Sequence, residues 1–503
     1  MSPSSVAPGT LERIRAVLGH RGIYELGATI TWDKTVGRPS QHPPYVLLAF
    51  ATLARLTRSI IRVEVDLAEP VLWEFTRTQM ITALDRHGLD LPPPGPKPPR
   101  WHHWNWLRNQ YLATDEGLAH LSRAFPAVAV AAARDIGLLH PHGPGSFTHP
   151  HRSRCVYGDQ TSIKPLYEPP DAIRTVDPDT GQIVVRYPDP HTGALQDAPP
   201  RRFDPDLADF HGMGGGALTH GYVSFHARGD HPYRRVMLAL DHTPAPGMEA
   251  DTALGLVGSL HREAGSGIQA VIYDRALHGV HVDTIMTRFG YLALTKMPDA
   301  PTGTEVATLA AVRGPDGRKA KSYPLGPVSH NTVTGACVHH LAAIDGAVVV
   351  IDLDESGDPV IVAAPTRGAV KRSRRADGRY HFNVGYTLDC PNGAFTVWLS
   401  PHPGRAKDTA RPNQLRVIPP ADPDFNALHG LREDAESTHA QLRRTLLVNR
   451  QMSKGWHRGL VDLYCFALYN NALTEHRALR DRQREMEGST HPSRKRQARS
   501  ISW

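Results

Sequence analysis

The chain runs to 503 residues, with 40% hydrophobic and 21% charged side chains and a formal net charge of +7. That length exceeds what one hydrophobic core usually holds, so two or three domains are expected in a soluble protein. Its four cysteines (Cys155, Cys337, Cys390, Cys465) are scattered without a Cys-x-x-Cys pair, which excludes a disulfide scaffold and points to a reducing compartment.

No apolar run approaches the roughly 20 residues of a membrane span, and the opening "MSPSSVAPGTLERIRAVLGH" lacks the apolar core of a signal peptide. The expectation is a cytoplasmic protein with no membrane partner. The positive excess fits a polyanion partner and is clustered, in "KRSRR" (Lys371 to Arg375) and in a basic C-terminal tail.

Residues 11 to 136 read as helices. "PYVLLAFATLARLTRSIIRVEVDL" and "EPVLWEFTRTQMITALDRHG" space their apolar residues helically. "LPPPGPKPP" is a rigid break, after which "WHHWNWLRNQYLA" resumes. Its tryptophans suit core packing first, and stacking on nucleic-acid bases second.

The period then changes. "RCVYGDQTSIK" reads as a strand delivering Asp159, and a polar excursion with no convincing element follows to about Gly216. "THGYVSFHARG" and "RRVMLALDHT" are strand-like, and "ADTALGLVGSLHREAG" is an amphipathic helix. "IQAVIYD" is a buried strand ending in Asp274; "HVDTIMTRFG" and "YLALTKMP" add a short helix and a fifth strand. Three strands, a helix, a strand, a helix and a strand form the ribonuclease-H-like order, in which the first and fourth strands are central neighbours.

Residues 301–420 read as a β-rich insertion. Its "DLDESGD" imitates the start of a calcium loop, but Ala363 stands where the bidentate Glu belongs, so a hairpin turn is expected. Cys337, His339, His340 and Cys390 have weak zinc spacing. "GMGGG" (Gly212 to Gly216) lacks the strand before it and the Lys-Ser/Thr after it that a P-loop needs.

A long helix is expected from about Phe425 to Met452, holding "HGLREDAESTHAQLRR", followed by a closing helix. At about 100° per residue from Arg432, Arg443 falls near 20°, Glu436 near 40° and His429 near 60°. Glu436 thus edges the apolar stripe of Leu431, Ala435, Leu442 and Leu446, while Asp434 faces away.

His429, Arg432, Glu436 and Arg443 resemble the C-terminal signature of Asp-Asp-Glu insertion-sequence transposases: Tyr, two residues, Arg, three residues, Glu, six residues, Lys. Arg and Glu match, Arg443 keeps the charge of Lys, and His429 replaces Tyr. "YGDQT" and "IYDRALHG" resemble that family's two aspartate motifs, and a β-rich insertion before the glutamate is also one of its habits. The likeness spans about residues 40 to 480.

It implies an α/β fold: a ribonuclease-H-like core, an all-α N-terminal region and a β-rich insertion before the catalytic helix. The implied divisions are an end-binding helical region (1–145), the first part of the core (150–300), the insertion (301–420), completion of the core (421–486) and a basic disordered tail (487–503). The implied activity is metal-dependent strand cleavage and strand transfer with Asp159, Asp274 and Glu436 as catalytic residues. These would hold Mg²⁺, for which Mn²⁺ can substitute, with Asp159 bridging two ions and the others holding one each. Arg275, His429, Arg432 and Arg443 would lie on DNA, or the arginines would offset carboxylate repulsion. The implied partner is double-stranded DNA, both element ends and target, bound by a homodimer or larger oligomer near the nucleoid. A DNA-binding descendant without catalysis, and a ribonuclease-H-like nuclease, remain open alternatives.

Overall fold

The computed structural model describes residues 9–31, 41–168, 170–176, 183–200, 202–204, 206–212, 215–231, 234–297, 310–332, 335–403, 411–445 and 450–486. The expected tail at 487–503 lies outside them.

The N-terminal helices are α1 (Thr10–Gly19), α2 (Arg21–Thr29), α3 (Pro44–Thr57), α4 (Ile60–Ala68), α5 (Pro70–His87), α6 (Trp101–Leu107) and α7 (Asp115–Asp135). Local chemistry sets several boundaries. Ser59 Oγ accepts the N–H of Arg62 to start α4, and Thr114 Oγ1 accepts that of Gly117 to start α7. The proline-rich break becomes a strap: Tyr45 Oη, Trp73 Nε1 and Arg77 Nε donate to the carbonyls of Pro92, Pro96 and Pro94. Prolines keep carbonyls to offer but no N–H, so side chains can tie them down without leaving donors orphaned. Trp104 is buried in the core, whereas Trp101 stays 42% exposed.

The central sheet begins with β1 (Cys155–Ile163). Where no element was expected, a small antiparallel sheet forms from β2 (Ile173–Val176), β3 (Ile183–Pro188) and β4 (Leu195–Gln196). Val176 and Leu195 are exposed there, so no buried alternation was available for the pattern to reveal. Next come β5 (Ala208–Gly212), β6 (Gly215–Arg228), β7 (Arg235–Thr243), α8 (Glu249–Ala264), β8 (Ala270–Ile272), α9 (Gly279–Thr284) and β9 (Leu292–Leu294). β6 lies antiparallel between β7 and β1, and β5 pairs its first residues; β1, β8 and β9 then run parallel.

Alternation along the central strands divides two cores. Val156 and Val271 face one that runs from α1, α3 and α7 through α8 to the C-terminal helix. Cys155, Tyr157, Ala270 and Ile272 face the other, shared with the insertion and the segment around Leu428 and Leu431. With a side-chain period of two, Asp159 and Asp274 fall on this second face.

Residues 310–399 are β-rich. A closed barrel comprises β10 (Ala310–Arg313), β11 (Lys319–Thr332), β12 (Gly335–Ile344), β13 (Ala347–Leu353) and β14 (Pro359–Ala363). A three-stranded sheet follows: β15 (Thr366–Arg374), β16 (Tyr380–Leu388) and β17 (Phe395–Leu399). The "DLDESGD" stretch is the expected hairpin turn, Asp354 Oδ1 accepting the N–H groups of Ser356 and Asp358. His330 and His339 lie against the Phe395 ring, and Asn392 Nδ2 is 2.8 Å from Cys337 Sγ.

The chain closes with α10 (Arg411–Gln414), α11 (Pro423–His429), α12 (Glu433–Thr445) and α13 (Trp456–Met486). The expected long helix is therefore broken, because Gly430–Arg432 forms a tighter 3₁₀ turn between α11 and α12; residues 446–449 lie outside the described set. The fold is mixed α/β. No helix among the described residues is long and apolar enough to cross a membrane.

Candidate active site

Asp159 and Asp274 come together through strand register. β1 and β8 are parallel, with Tyr157 opposite Ile272. Two residues further along, Asp159 lies midway along β1 and Asp274 just past the end of β8, which brings the two side by side. Asp159 is buried, whereas Asp274 sits half-buried in a turn where its Oδ1 accepts the N–H of Ala276 at 2.8 Å.

The third carboxylate comes from α12. Glu436 is exposed, but Arg432, one turn earlier, ties it to the strands. Arg432 Nη1 donates to Asp159 Oδ1 at 3.0 Å and Nη2 to Glu436 Oε1 at 3.3 Å. Burial pushes the Asp159 carboxyl up to about 6; the Arg432 charge pulls it down, and Asp274 and Glu436 push it up again. A proton on Asp159 is thus favoured by both desolvation and like charge.

Beneath Asp159 lies a buried polar chain absent from the sequence reading. His439 Nδ1 is 3.9 Å from Asp159 Oδ2, His439 Nε2 is 3.2 Å from Ser224 Oγ, and Ser224 Oγ is 3.0 Å from His226 Nε2. The spacing imitates a Ser-His-Asp relay, but Ser224 is buried between two imidazoles and no substrate could reach it. Burial, then the charges of Arg443 and Arg432, holds His439 down to about 3, so its ring is neutral. The chain packs beneath Asp159 without a hydrogen bond to it and excludes water from that side. Ser224 was findable only from register, since it stands opposite Asp159 on β6.

Glu249, the first residue of α8, was also missed. Its Oε1 accepts the Tyr273 hydroxyl at 2.8 Å, and Tyr273 directly precedes Asp274. Burial raises the Glu249 carboxyl to about 7, and the charges of Asp274 and Asp159 raise it further against the Tyr273 hydrogen bond and Arg432. A fourth carboxylate therefore lies in the field of Asp159 and Asp274.

The remaining expected residues sit around this group. His429 is buried, stacked on Phe425 with ring centroids 4.9 Å apart, and hydrogen-bonded to the backbone of Tyr273. Burial, then Lys296 and Arg432, lowers it to about 4, so it presents a neutral ring rather than a cation. Arg443 is exposed one turn beyond His439, and Arg275 is exposed just after Asp274. One expectation is corrected. Asp434 does not face away but is buried on the same face of α12 as Ala435, Thr438 and Leu442, where it pairs with Arg228 and Arg235.

A groove of about 580 Å³ opens along this face, bordered by Lys296, His429, Arg432, Glu433, Glu436 and Ser437 among others. Lys296, just after β9, is a cation that sequence reasoning passed over.

Among the described residues, no three His, Cys, Asp or Glu side chains stand together in a group that could hold a metal ion. Arg432 lies between Asp159 and Glu436, and Asp274 has turned one oxygen to its own loop. The donors nonetheless suit a hard divalent cation, being carboxylates whose mutual repulsion a cation would relieve. The fit requires Arg432 to swing aside.

Compared with known proteins, the chain matches no family model and no curated protein.

Proposed function

We propose that this chain is a DNA transposase of the Asp-Asp-Glu type, cleaving and joining DNA strands on a ribonuclease-H-like core. One observation carries the reading. Asp159 and Asp274 come level on adjacent parallel strands, and a helix late in the chain brings Glu436 to them through Arg432. The sheet order supports it too, with two antiparallel strands beside β1 and two parallel strands beyond it.

In this reading Asp159, Asp274 and Glu436 would hold Mg²⁺ or Mn²⁺, and the chemistry such an ion would supply is activation of a water or 3′-hydroxyl and stabilisation of the departing oxyanion. The protein's own part is positional. The buried His439–Ser224–His226 chain packs beneath Asp159, while the Tyr273–Glu249 bond fixes the backbone before Asp274. Arg432 offsets the charge of Asp159 and Glu436 and passes to a DNA phosphate when the strand enters, where a guanidinium's forked donors suit phosphate. Lys296, Arg275 and Arg443 supply sequence-independent phosphate attraction. The partners are element ends and target DNA, and pairing of two ends requires a homodimer or larger assembly.

The same Arg432 placement favours a second reading: a descendant that binds DNA without cutting it, its carboxylates permanently bridged by arginine. Purified protein with Mg²⁺ and DNA carrying the gene's flanking sequence separates the two. Cleavage at fixed positions and joined products, lost in Asp159→Ala, Asp274→Ala and Glu436→Ala and in chelator, supports the transposase. Binding without cleavage, indifferent to the three substitutions, supports the second reading. Cutting without joining indicates a nuclease.

A further inference from the structure

Ser437 and Ala440 border the carboxylate groove, and the same two residues border a second cavity of about 550 Å³. Its wall holds six arginines: Arg13 from α1, Arg55 from α3, Arg58 at the end of α3, Arg235 from β7, Arg444 from α12 and Arg477 from α13. No acidic side chain is among the described residues lining it. Two acids lie behind the wall, Asp462 at 3.6 Å from Arg55 Nη2 and Asp434 at 3.6 Å from Arg235 Nη1.

The cavity is graded from floor to rim. Arg58 and Arg444 are exposed, Arg13, Arg235 and Arg477 half-buried, and the Arg55 side chain only 3% exposed. Arg55 Nε and Nη1 are buried without a hydrogen-bond partner. A guanidinium normally spends its donors when it is buried. A concavity lined, among the described residues, by six guanidiniums and no carboxylate concentrates positive potential and attracts anions.

We propose that this cavity holds backbone phosphates of a nucleic-acid strand whose reacting phosphate lies at Asp159, Asp274 and Glu436; this rests on the function proposed above. Continuity with the groove identifies the ligand. Glu436 and Arg444 are separated by about 12 Å along α12 at 1.5 Å per residue. One small anion cannot occupy both places, whereas a polymer of regularly spaced phosphates can.

The test is anisotropy titration of the full chain against fluorescein-labelled duplex DNA over a range of salt concentrations. Wild type is compared with Arg58→Gln, Arg444→Gln and the corresponding Lys variants, each first checked for an unchanged melting temperature. These two rim positions are exposed, so folding should survive. Each Gln variant should weaken binding to all sequences alike and reduce the slope of log K against log salt by about 1, with Lys restoring it. Unchanged affinity and slope overturn the proposal. So does tripolyphosphate bound tightly in calorimetry but not displaced by DNA, which would mark a small-anion site. Cleavage by wild type with unaltered slopes in the Gln variants rejects the cavity alone. Reduced slopes without wild-type cleavage uphold the cavity and reject catalysis. Wild type that neither binds nor cleaves DNA rejects both.

Discussion

Arg432 Nη1 donates to Asp159 Oδ1 across 3.0 Å, joining residues 273 apart in sequence. The same guanidinium reaches Glu436, so one cation stands where two acidic residues from a strand and a helix converge. It is in effect an internal counterion. Removing it should leave Asp159, Asp274 and Glu436 facing one another with no positive charge between them. Arg432→Ala is therefore expected to bind Mn²⁺ or Tb³⁺ about tenfold more tightly, the scale of one charge-assisted hydrogen bond. DNA affinity should fall at the same time, because a phosphate partner is lost. Calorimetry for the ion and anisotropy for DNA read the two separately. An ion affinity that is unchanged or weaker in Arg432→Ala would sink the counterion role.

Asp434 does a different job two residues from Glu436. It is buried, ion-paired with Arg228 and Arg235, and its backbone carbonyl accepts Arg235 Nη1 at 2.9 Å. Breaking such a pair from one side strands the partner charges in poorly solvated surroundings. Asp434→Ala should lose about 3 kcal/mol in denaturant unfolding. Glu433→Ala, at an exposed position on the same turn, should stay within about 0.5 kcal/mol. Equal losses in the two variants would contradict the burial assigned here.

Gly158 is required by a close approach between β1 and its neighbours. A Cβ there would lie 2.8 Å from ring carbons of both Phe225 and Tyr273. Tyr273 precedes Asp274 and Gly158 precedes Asp159, so the strain would fall on the level pairing of the two aspartates. Gly158→Ala should destabilise by about 1–3 kcal/mol, the usual cost of overpacking. It should also cost activity beyond that loss, measured as cleavage rate at a temperature where the variant is fully folded. A variant with wild-type stability would show that the rings yield freely.

The strands that lead to Asp159 and Asp274 were legible because both begin as short apolar runs buried on both faces, with an acid close behind; β1 itself runs on past Asp159 to Ile163. The α12 site was legible from the spacing of Arg432 and Glu436, which share a helical face whichever way the helix begins. The burial of Asp434 was not. It borders the buried face of α12 beside Ala435, and the Arg228 and Arg235 that make a buried charge tolerable there come from β6 and β7, far away in sequence. Glu249, Ser224 and Lys296 stayed hidden for another reason. Each is ordinary in its own segment and becomes part of the site only through pairing or packing across the sheet. The arginine cavity is the extreme case, assembled from α1, the end of α3, β7, α12 and α13.

His242 offers a test of burial away from the carboxylates. Its ring stacks on Trp456 with centroids 4.3 Å apart and planes 8° from parallel. Burial, then the charges of His220 and His457, holds it down to about 3. The unfolded chain should protonate the same ring near pH 6.5. Above that pH the ring is neutral in both states and its packing contributes in full. As pH falls below about 6.5 the unfolded state takes up a proton that the folded state refuses, so stability drops until the folded ring titrates near 3. His242→Phe keeps a flat ring for Trp456 but cannot be protonated. Its melting temperature relative to wild type should therefore rise steadily between pH 7 and pH 4, whatever the offset at pH 7. A difference constant across that range would mean that His242 is protonated in the folded protein as readily as in the unfolded chain, and the stacked, neutral assignment would fall.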